Sequence, residues 1–392
     1  MFAVFPAARK WTRRAAILAA AALLAACEPV ALGGNTGRLI DTSAPVQVAL
    51  LVPGGSGQAG DDVVARALEN AARLAIADLS DVEVDLRVYN TAGQPEQAAA
   101  AATRAVDDGA RIILGPVFGE AANAAGVAVA RRNINVLSFS NNTAIAGGNV
   151  FVLGPTFENT AARMMSHAVA RGRGSVMVVY DQTQAGEAGR RAIEAAAGRT
   201  GARLAAVTGY PFSFEGIIDT VPTIGATARA SGANALFFTD TTDRGLLSLT
   251  QLLAENGTGP DVFQYLGLTR WDIPPSTLAQ PSVQGAWFAL PDPALSAQFV
   301  SRYTAAYGTG PHPIAGLAYD GIAAIGALVR AGRGDALTRD ALTQPSGFVG
   351  VSGIFRLNPD GTNQRGLAVA EIRDNQVIVI DPAPRSFSDA GF

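Results

Sequence analysis

The sequence predicts an α/β fold of two doubly wound, Rossmann-like lobes, each a parallel sheet covered by helices on both faces. Three observations predict it. Short runs such as "VQVALLVP" are apolar almost without a break, the pattern of a strand buried on both sides. These runs alternate with segments whose apolar residues recur at helical spacing, as successive right-handed βαβ units require. The alternation then restarts after "VFVLGPTFEN", so the chain writes the pattern twice.

Taken in order, the first half opens with the strand at 46–53, a glycine-rich turn and the helix "DDVVARALENAARLAIADL". "VEVDLRVYN" reads as a strand, "PEQAAAAATRAVDDG" as a helix closed by Gly109, and "RIILGP" as the third strand. The helix "GEAANAAGVAVARRN" and the strand "INVLSFS" follow. After the restart, "SVMVVYD", "RLAAVTGY", "NALFFTD" and "DVFQYLGL" are strands, separated by helices near 186–200, 215–231 and 244–256. "QGAWFALP" is one more strand, and two helices then follow directly on each other at 294–307 and 315–331. "SGIFRLN", "GLAVAEIR" and "QVIVID", parted by turns at Asp360-Gly361 and Asp374-Asn375, predict a closing β-meander. Residues 382–392 read as a loose tail.

The amino terminus carries a different signal. Arg9, Lys10, Arg13 and Arg14 precede an apolar run from Ala15 to Ala26, and Cys27 is the one cysteine among 392 residues. A basic segment, a short apolar stretch and small residues before a cut site predict a secretory leader over 1–26, whose apolar run Ala15–Ala26 is too short to span a bilayer. Leu24-Ala25-Ala26-Cys27 is similar to a bacterial lipobox, which implies acylation of Cys27 and a membrane anchor made of lipid. Residues 27–45 then form an acylated tether, which as a flexible coil spans roughly 20–25 Å. Glu28 favours the inner leaflet of the outer membrane over the inner membrane, and the expected compartment is the periplasm.

Composition excludes several classes. Losing four positive charges with the leader takes the formal charge from −3 to −7, with no basic run to attract nucleic acid. Lys10 is the only lysine and leaves with the leader, so no P-loop or Schiff-base lysine remains. His167 and His312 are the only histidines, neither has ligands at metal spacing, and no GxSxG elbow is present. Gly55 to Gly60 matches GxGxxG between the first strand and first helix, where a dinucleotide would rest its phosphates. Yet the second strand ends in Tyr89-Asn90 instead of an acid, and Asp61-Asp62 would repel phosphate at the helix start. The expectation is a binding protein, not an enzyme, without metal, cofactor or nucleic acid.

The order of these segments resembles the type I periplasmic-binding-protein fold, in its leucine/isoleucine/valine-binding branch. The words that carry it are "VALLVPGGSGQAGDDVVARALENAARLAIADL", "IILGPVFGEAANAAGVAVARRNINVLSFSNNTA" and "VMVVYDQTQAGEAGRRAIEAA", and the likeness covers about residues 46–381. It implies two lobes joined by three crossovers, near Gly154-Pro155, Trp287 and Gly350. Lobe one is then 46–154 plus 286–346, and lobe two 155–285 plus 347–381. It also implies a small polar ligand, such as an amino acid, held in the interlobe cleft at strand carboxyl ends and helix amino ends. The candidate residues are Phe118 and Gly119 at a helix start, Ser140 and Asn142 after the fourth strand, Tyr180, Asp181 and Gln182, and Thr239 and Asp240. Helix amides suit a ligand carboxylate, and Asp240 is expected to hold a ligand ammonium. The sequence departs from amino-acid receptors at Gly119, where they usually place serine, and at Ala185-Gly186, where a tyrosine commonly precedes the glycine.

"GPVFGEAA", "VLSFSNNTA" and the ending "GIFRLNPDGTNQRGLAVAEIRDNQVIVIDPAP" are also similar to lipoproteins that activate penicillin-binding proteins. That likeness implies stimulation of a peptidoglycan synthase, with a bifunctional penicillin-binding protein as partner. The alternative is a receptor delivering branched-chain or other amino acids to an ABC permease by closing around its ligand.

Overall fold

The computed structural model describes residues 34–388, and from Thr36 onward the chain forms one compact unit. The leader at 1–26 and the lipidation candidate Cys27 lie outside the described residues. In lobe one, β1 (Val46–Val52), β2 (Val84–Asn90), β3 (Ile112–Leu114), β4 (Asn135–Ser138) and β5 (Val150–Val152) form a parallel sheet in the order β2-β1-β3-β4-β5. Alternate residues of β1 serve opposite faces. Val48, Leu50 and Val52 pack on Leu68 and Ala71 of α1 (Ala59–Ala77). Ala49 and Leu51 meet Ala98, Ala101 and Ala105 of α2 (Pro95–Asp107) and Ala121 and Ala125 of α3 (Gly119–Ala130). Burial on both faces is why the strand reads as an unbroken apolar run.

Lobe two repeats the plan. β6 (Ser175–Asp181), β7 (Arg203–Tyr210), β8 (Ala235–Phe238), β9 (Gln264–Gly267) and β10 (Trp287–Leu290) run parallel to one another. Val176 and Val178 pack under α4 (Phe157–Ala170) and α5 (Gln184–Thr200), while Met177 and Val179 pack under α6 (Phe214–Ser231) and α7 (Leu246–Glu255). The chain then returns to lobe one, where α8 (Pro293–Tyr307) and α9 (Gly316–Arg330) place Phe299, Tyr303, Ile322 and Ile325 in the first core. The short α10 (Arg339–Leu342) leads into a separate antiparallel sheet of β11 (Phe348–Gly350), β12 (Gly353–Leu357) and β13 (Asn363–Arg365). The hairpin of β14 (Ala368–Arg373) and β15 (Gln376–Asp381) closes lobe two, giving the order β15-β14-β10-β9-β8-β6-β7.

Five expectations are corrected by these pairings and contacts. Trp287 pairs with Leu266 and Glu371, so β10 is a strand of lobe two and 286 is not where lobe one resumes. Phe348, Phe355 and Leu357 bury in the core of lobe one, so residues 348–357 stay there instead of starting the last part of lobe two. The expected meander is accordingly split between two sheets. The tether is docked over its second half: Thr36 Oγ1 donates to Asn135 Oδ1 at 2.7 Å, Gly37 N–H to Asn133 Oδ1 at 3.0 Å, and Ile40 N–H to Gly334 O at 2.8 Å. The expected tail is held as well, with Ala383 buried in lobe two's core and the Arg356 guanidinium 4.5 Å from the Phe387 ring centre.

A buried polar network ties the crossovers together. Arg365 Nε donates to Leu153 O at 3.0 Å and its Nη1 to Asp320 Oδ2 at 3.2 Å, with the guanidinium 5.1 Å from the Phe355 ring centre. Asp320, fully buried on α9, also accepts from Val351 N–H at 2.8 Å. The Arg365 N–H donates to Asn159 Oδ1 at 3.1 Å on α4, and Asn159 Nδ2 donates to Asn363 Oδ1 at 2.7 Å. Asn363 Nδ2 in turn donates to Val152 O at 2.7 Å and Gly154 O at 2.9 Å. Nearly every polar atom of this cluster has a partner, which is the condition for a buried charge to persist.

A second polar pair, buried His167 and half-buried Asp381, lies within lobe two. His167 Nδ1 is 2.9 Å from Asp381 Oδ2, and its ring stands edge-on to Trp287 at 5.0 Å between centroids. Burial pushes the imidazole below its ordinary pKa against the pull of Asp381. Burial raises Asp381 too, but the hydrogen bond from His167 and the charge of Arg163 outweigh it and hold that carboxyl low. The pair is therefore a neutral imidazole donating from Nδ1 to a carboxylate.

Two tests follow from these buried groups. Arg365→Met leaves the Asp320 carboxylate unpaired and is expected to cost about 3–5 kcal/mol in urea unfolding; a loss under about 1 kcal/mol contradicts the network's role. His167 resists protonation in the folded state, so its contribution is complete above about pH 6.5 and is lost as pH falls below it. Stability measured between about pH 7.5 and about pH 5 should decline, and His167→Gln should flatten that slope.

Candidate functional site

Strand order reverses between β1 and β3 in lobe one and between β6 and β8 in lobe two. At such switch points the loops leaving neighbouring strands diverge and open a crevice at the strand carboxyl ends. The lobe-one half is built by the start of α3 and the turn after β4. Phe118 is the residue before the helix and offers no side-chain acceptor, so its amides are capped by no side chain there. A Cβ built on Gly119 would lie 3.2 Å from Asn142 Nδ2 and 3.5 Å from Ser140 Oγ. The fold thus brings Phe118, Gly119, Ser140 and Asn142 together. Ser140 Oγ accepts from Asn142 N–H at 3.1 Å, and Asn142 Oδ1 accepts from Ala144 N–H at 3.0 Å, which fixes the turn. The Phe118 ring lies over Gly93, where any Cβ would stand 2.9 Å from its Cε2.

The glycine-rich loop after β1 borders this half. Its Gly55 N–H donates to Asp62 Oδ1 at 3.1 Å, so a carboxylate of the chain takes an amide that a phosphate oxygen would need. This is the turn that matches the dinucleotide pattern in sequence.

In lobe two the strand-end residues mostly bind one another. Asp181 is buried; its Oδ1 accepts from the Thr183 hydroxyl and its Oδ2 from Thr239 Oγ1 at 3.2 Å. Thr183 caps α5 by accepting from Gly186 N–H at 3.1 Å. Gly186 is required here, since a Cβ would fall 2.0 Å from Asp181 O. Asp240 is also buried, accepting from Tyr210 Oη at 2.6 Å and from Thr241 N–H at 2.8 Å. Burial pushes the Asp240 carboxyl above the usual range, and burial beside that carboxylate drives the Tyr210 phenol far upward. Asp240, expected to hold a ligand ammonium, turns its carboxylate into the lobe in this structure and braces Tyr210.

Two further candidates stand apart. Tyr180, the penultimate residue of β6, lies against Gly209, and Arg190 of α5 is 5.5 Å from its ring centre. Gln182 is exposed at the end of β6, where its N–H donates to Tyr210 O at 3.0 Å.

The sequence reading passed over two residues that the fold places at this end. Arg244 stacks on Phe212, its Cζ 4.0 Å from the ring centre, and its Nη2 is 3.8 Å from Asp181 Oδ1. Both sit in strand-to-helix turns, "YPFSFEG" after β7 and "TDRGLL" after β8. Their position just past a strand's carboxyl end was the available signal. A separate cavity of about 200 Å³ lies under the crossovers, lined by Pro155, Phe157, Leu268, Arg270, Pro291 and Leu367 among others. It is smaller than the roughly 300 Å³ at which ligand pockets begin. Among the described residues no group of three or more His, Cys, Asp or Glu is placed to hold a metal ion. No helix among them is long and apolar enough to cross a membrane.

A family model described as periplasmic binding protein matches residues 45–376. A Rhodospirillum rubrum protein assigned to branched-chain amino acid ABC transport superposes with a TM-score of 0.71 at 21% identity, covering 86% of this chain and 100% of its own. An ABC transporter substrate-binding protein from Desulfitobacterium hafniense in complex with Leu gives 0.62 at 18% identity, with 86% and 100% covered. A solute-binding protein from R. palustris in complex with benzoate gives 0.55 at 16% identity, with 89% and 99% covered. No curated protein sequence matches significantly. At these identities the likeness to solved structures is one of fold.

Gly119 gives the site's simplest test. Its backbone is not left-handed and the nearest obstacle is the tip of Asn142, so Gly119→Ser should fold with a stability change of about 0.5 kcal/mol or less. The added hydroxyl should tighten binding of a carboxylate ligand measured by calorimetry. A collapsed fold or an unchanged affinity would remove Gly119 from the site.

Proposed function

We propose that this chain, which belongs to the periplasmic binding protein family, is the substrate-binding component of an ABC importer for a small carboxylate-bearing solute. The observation that carries the proposal is the lobe-one half-site, where the start of α3 at Phe118-Gly119 meets Ser140 and Asn142 at a switch point. Helix-start amides and a hydroxyl stabilise a carboxylate by partial charge and hydrogen bonds. Leucine and benzoate, held by two of the structural relatives, share that headgroup. Binding acts without chemistry: a ligand that touches both lobes favours the closed form by its differential affinity, and an ABC permease then reads that form. The proposal includes export to the periplasm and anchoring through acylated Cys27, with Glu28 favouring the outer membrane.

The named relatives are transport proteins, which weighs toward import over activation of a peptidoglycan synthase. One observation keeps the second reading in view. Asp240, the acid expected to hold a ligand ammonium, and the cleft candidate Asp181 are both engaged inside lobe two, and a cleft that has lost its ligand role would suit docking on a bifunctional penicillin-binding protein.

Calorimetry of the purified body against the amino acids and a panel of aliphatic and aromatic carboxylates tests the proposal. A micromolar or tighter ligand is expected. No ligand from either panel, together with a synthase recovered after crosslinking of the intact envelope, would replace import with activation.

A further inference from the structure

We propose that Arg244, stacked on Phe212, selects the ligand from lobe two and commits the cleft to carboxylates that have an apolar body and no ammonium group. The inference rests on the cleft being a ligand site, as argued above, and goes on to name the class of ligand. It stands on which charges lobe two turns inward and which it leaves at the surface.

Both acids at the carboxyl ends of β6 and β8 are about 1% exposed. Asp181 is taken up by two threonine hydroxyls and Asp240 by Tyr210 and a backbone amide. Arg244 is the reverse case. Its side chain is 30% exposed, and its ionic partner Asp181 stands at 3.8 Å, outside hydrogen-bond range. Among the described residues no closer acceptor engages its guanidinium, so the planar fork keeps its donors for an incoming anion. The Phe212 face 4.0 Å away holds the group flat and limits its rotation, so less freedom is lost when a carboxylate docks.

The apolar part of the ligand is read from three rings. Phe118 on lobe one and Phe212 and Phe214 on lobe two are 44%, 47% and 64% exposed; Phe118 and Phe212 lie in strand-to-helix turns and Phe214 is the first residue of α6. Large apolar groups left in water at the mouth of a crevice are what a ligand body would cover. An ammonium brought to the same half-site meets the positive Arg244 and finds the Asp181 and Asp240 carboxylates already accepting from Thr183, Thr239, Tyr210 and the Thr241 amide. The exposed acid beside it is Asp243, which points the comparison to make.

The test uses matched pairs that differ only by the ammonium group: leucine with 4-methylpentanoate, and phenylalanine with 3-phenylpropanoate. Calorimetry on the full folded chain should show the deaminated member of at least one pair binding about tenfold tighter or better. Arg244→Gln should weaken that binding by about tenfold to a hundredfold, and Arg244→Lys should restore part of it, since a point charge replaces the fork. A thermal melt checks that each variant is folded. The inference is overturned if the amino acids bind as well as their partners, if Asp243→Asn abolishes binding while Arg244→Gln does not, or if Arg244→Gln has no effect. Those outcomes leave the import proposal standing; absence of binding by every amino acid and carboxylate would end both.

Discussion

The guanidinium of Arg365 sits where parts of the chain far apart in sequence have to meet. One of its edges faces the carbonyl of Leu153 at the end of β5, another the buried carboxylate of Asp320 on α9, and its own backbone amide reaches Asn159 at the start of α4. A two-lobed body with a discontinuous chain needs such a place, because each lobe is assembled from separate segments. Hydrophobic burial alone fixes no particular register between them. Directional bonds to a carbonyl, a carboxylate and an amide do. The cost of burying the charge is offset only while all the partners are present, so the cluster either forms whole or not at all.

Legibility in the sequence follows the range of the interaction. The alternation of strands and helices was readable because β1, β3 and β8 are buried on both faces and every residue but Gln47 is apolar. The lobe assignment of β10 was not readable: four buried residues, Trp287 to Leu290, state that a strand exists and nothing about which neighbours it takes. The same holds for residues 348–357, whose apolar side chains would suit either core. Docking of Thr36 to Ile40 was hidden in another way, since glycine, threonine and arginine read as linker until Asn133 and Asn135 are seen waiting for them.

At the site, positions were easier to foresee than directions. Placing Phe118, Gly119, Ser140 and Asn142 at one crevice took the family resemblance together with the strand-end rule, and the fold brings them within contact. Asp240 sits at a strand end as well, but its carboxylate faces Tyr210, a partner thirty residues away that no local pattern announces. Arg244 and Phe212 are the complement of this. They belong to different turns, and only the parallel pairing of β6 with both β7 and β8 brings the turns side by side. Charge at the crevice is thus decided by tertiary contacts that either consume an ionic group or leave it outward.

The docked segment from Thr36 to Ile40 grips lobe one at Asn133, Asn135 and Gly334, by the amino end of β4 and away from the crevice. Any load arriving along the chain from before Thr36 is therefore handed to lobe one, and lobe two feels it only through the crossovers. In mechanical language, one half is the mount and the other the jaw. With the proposed anchor at Cys27, the mount would keep its bearing toward the membrane while the jaw is left to swing.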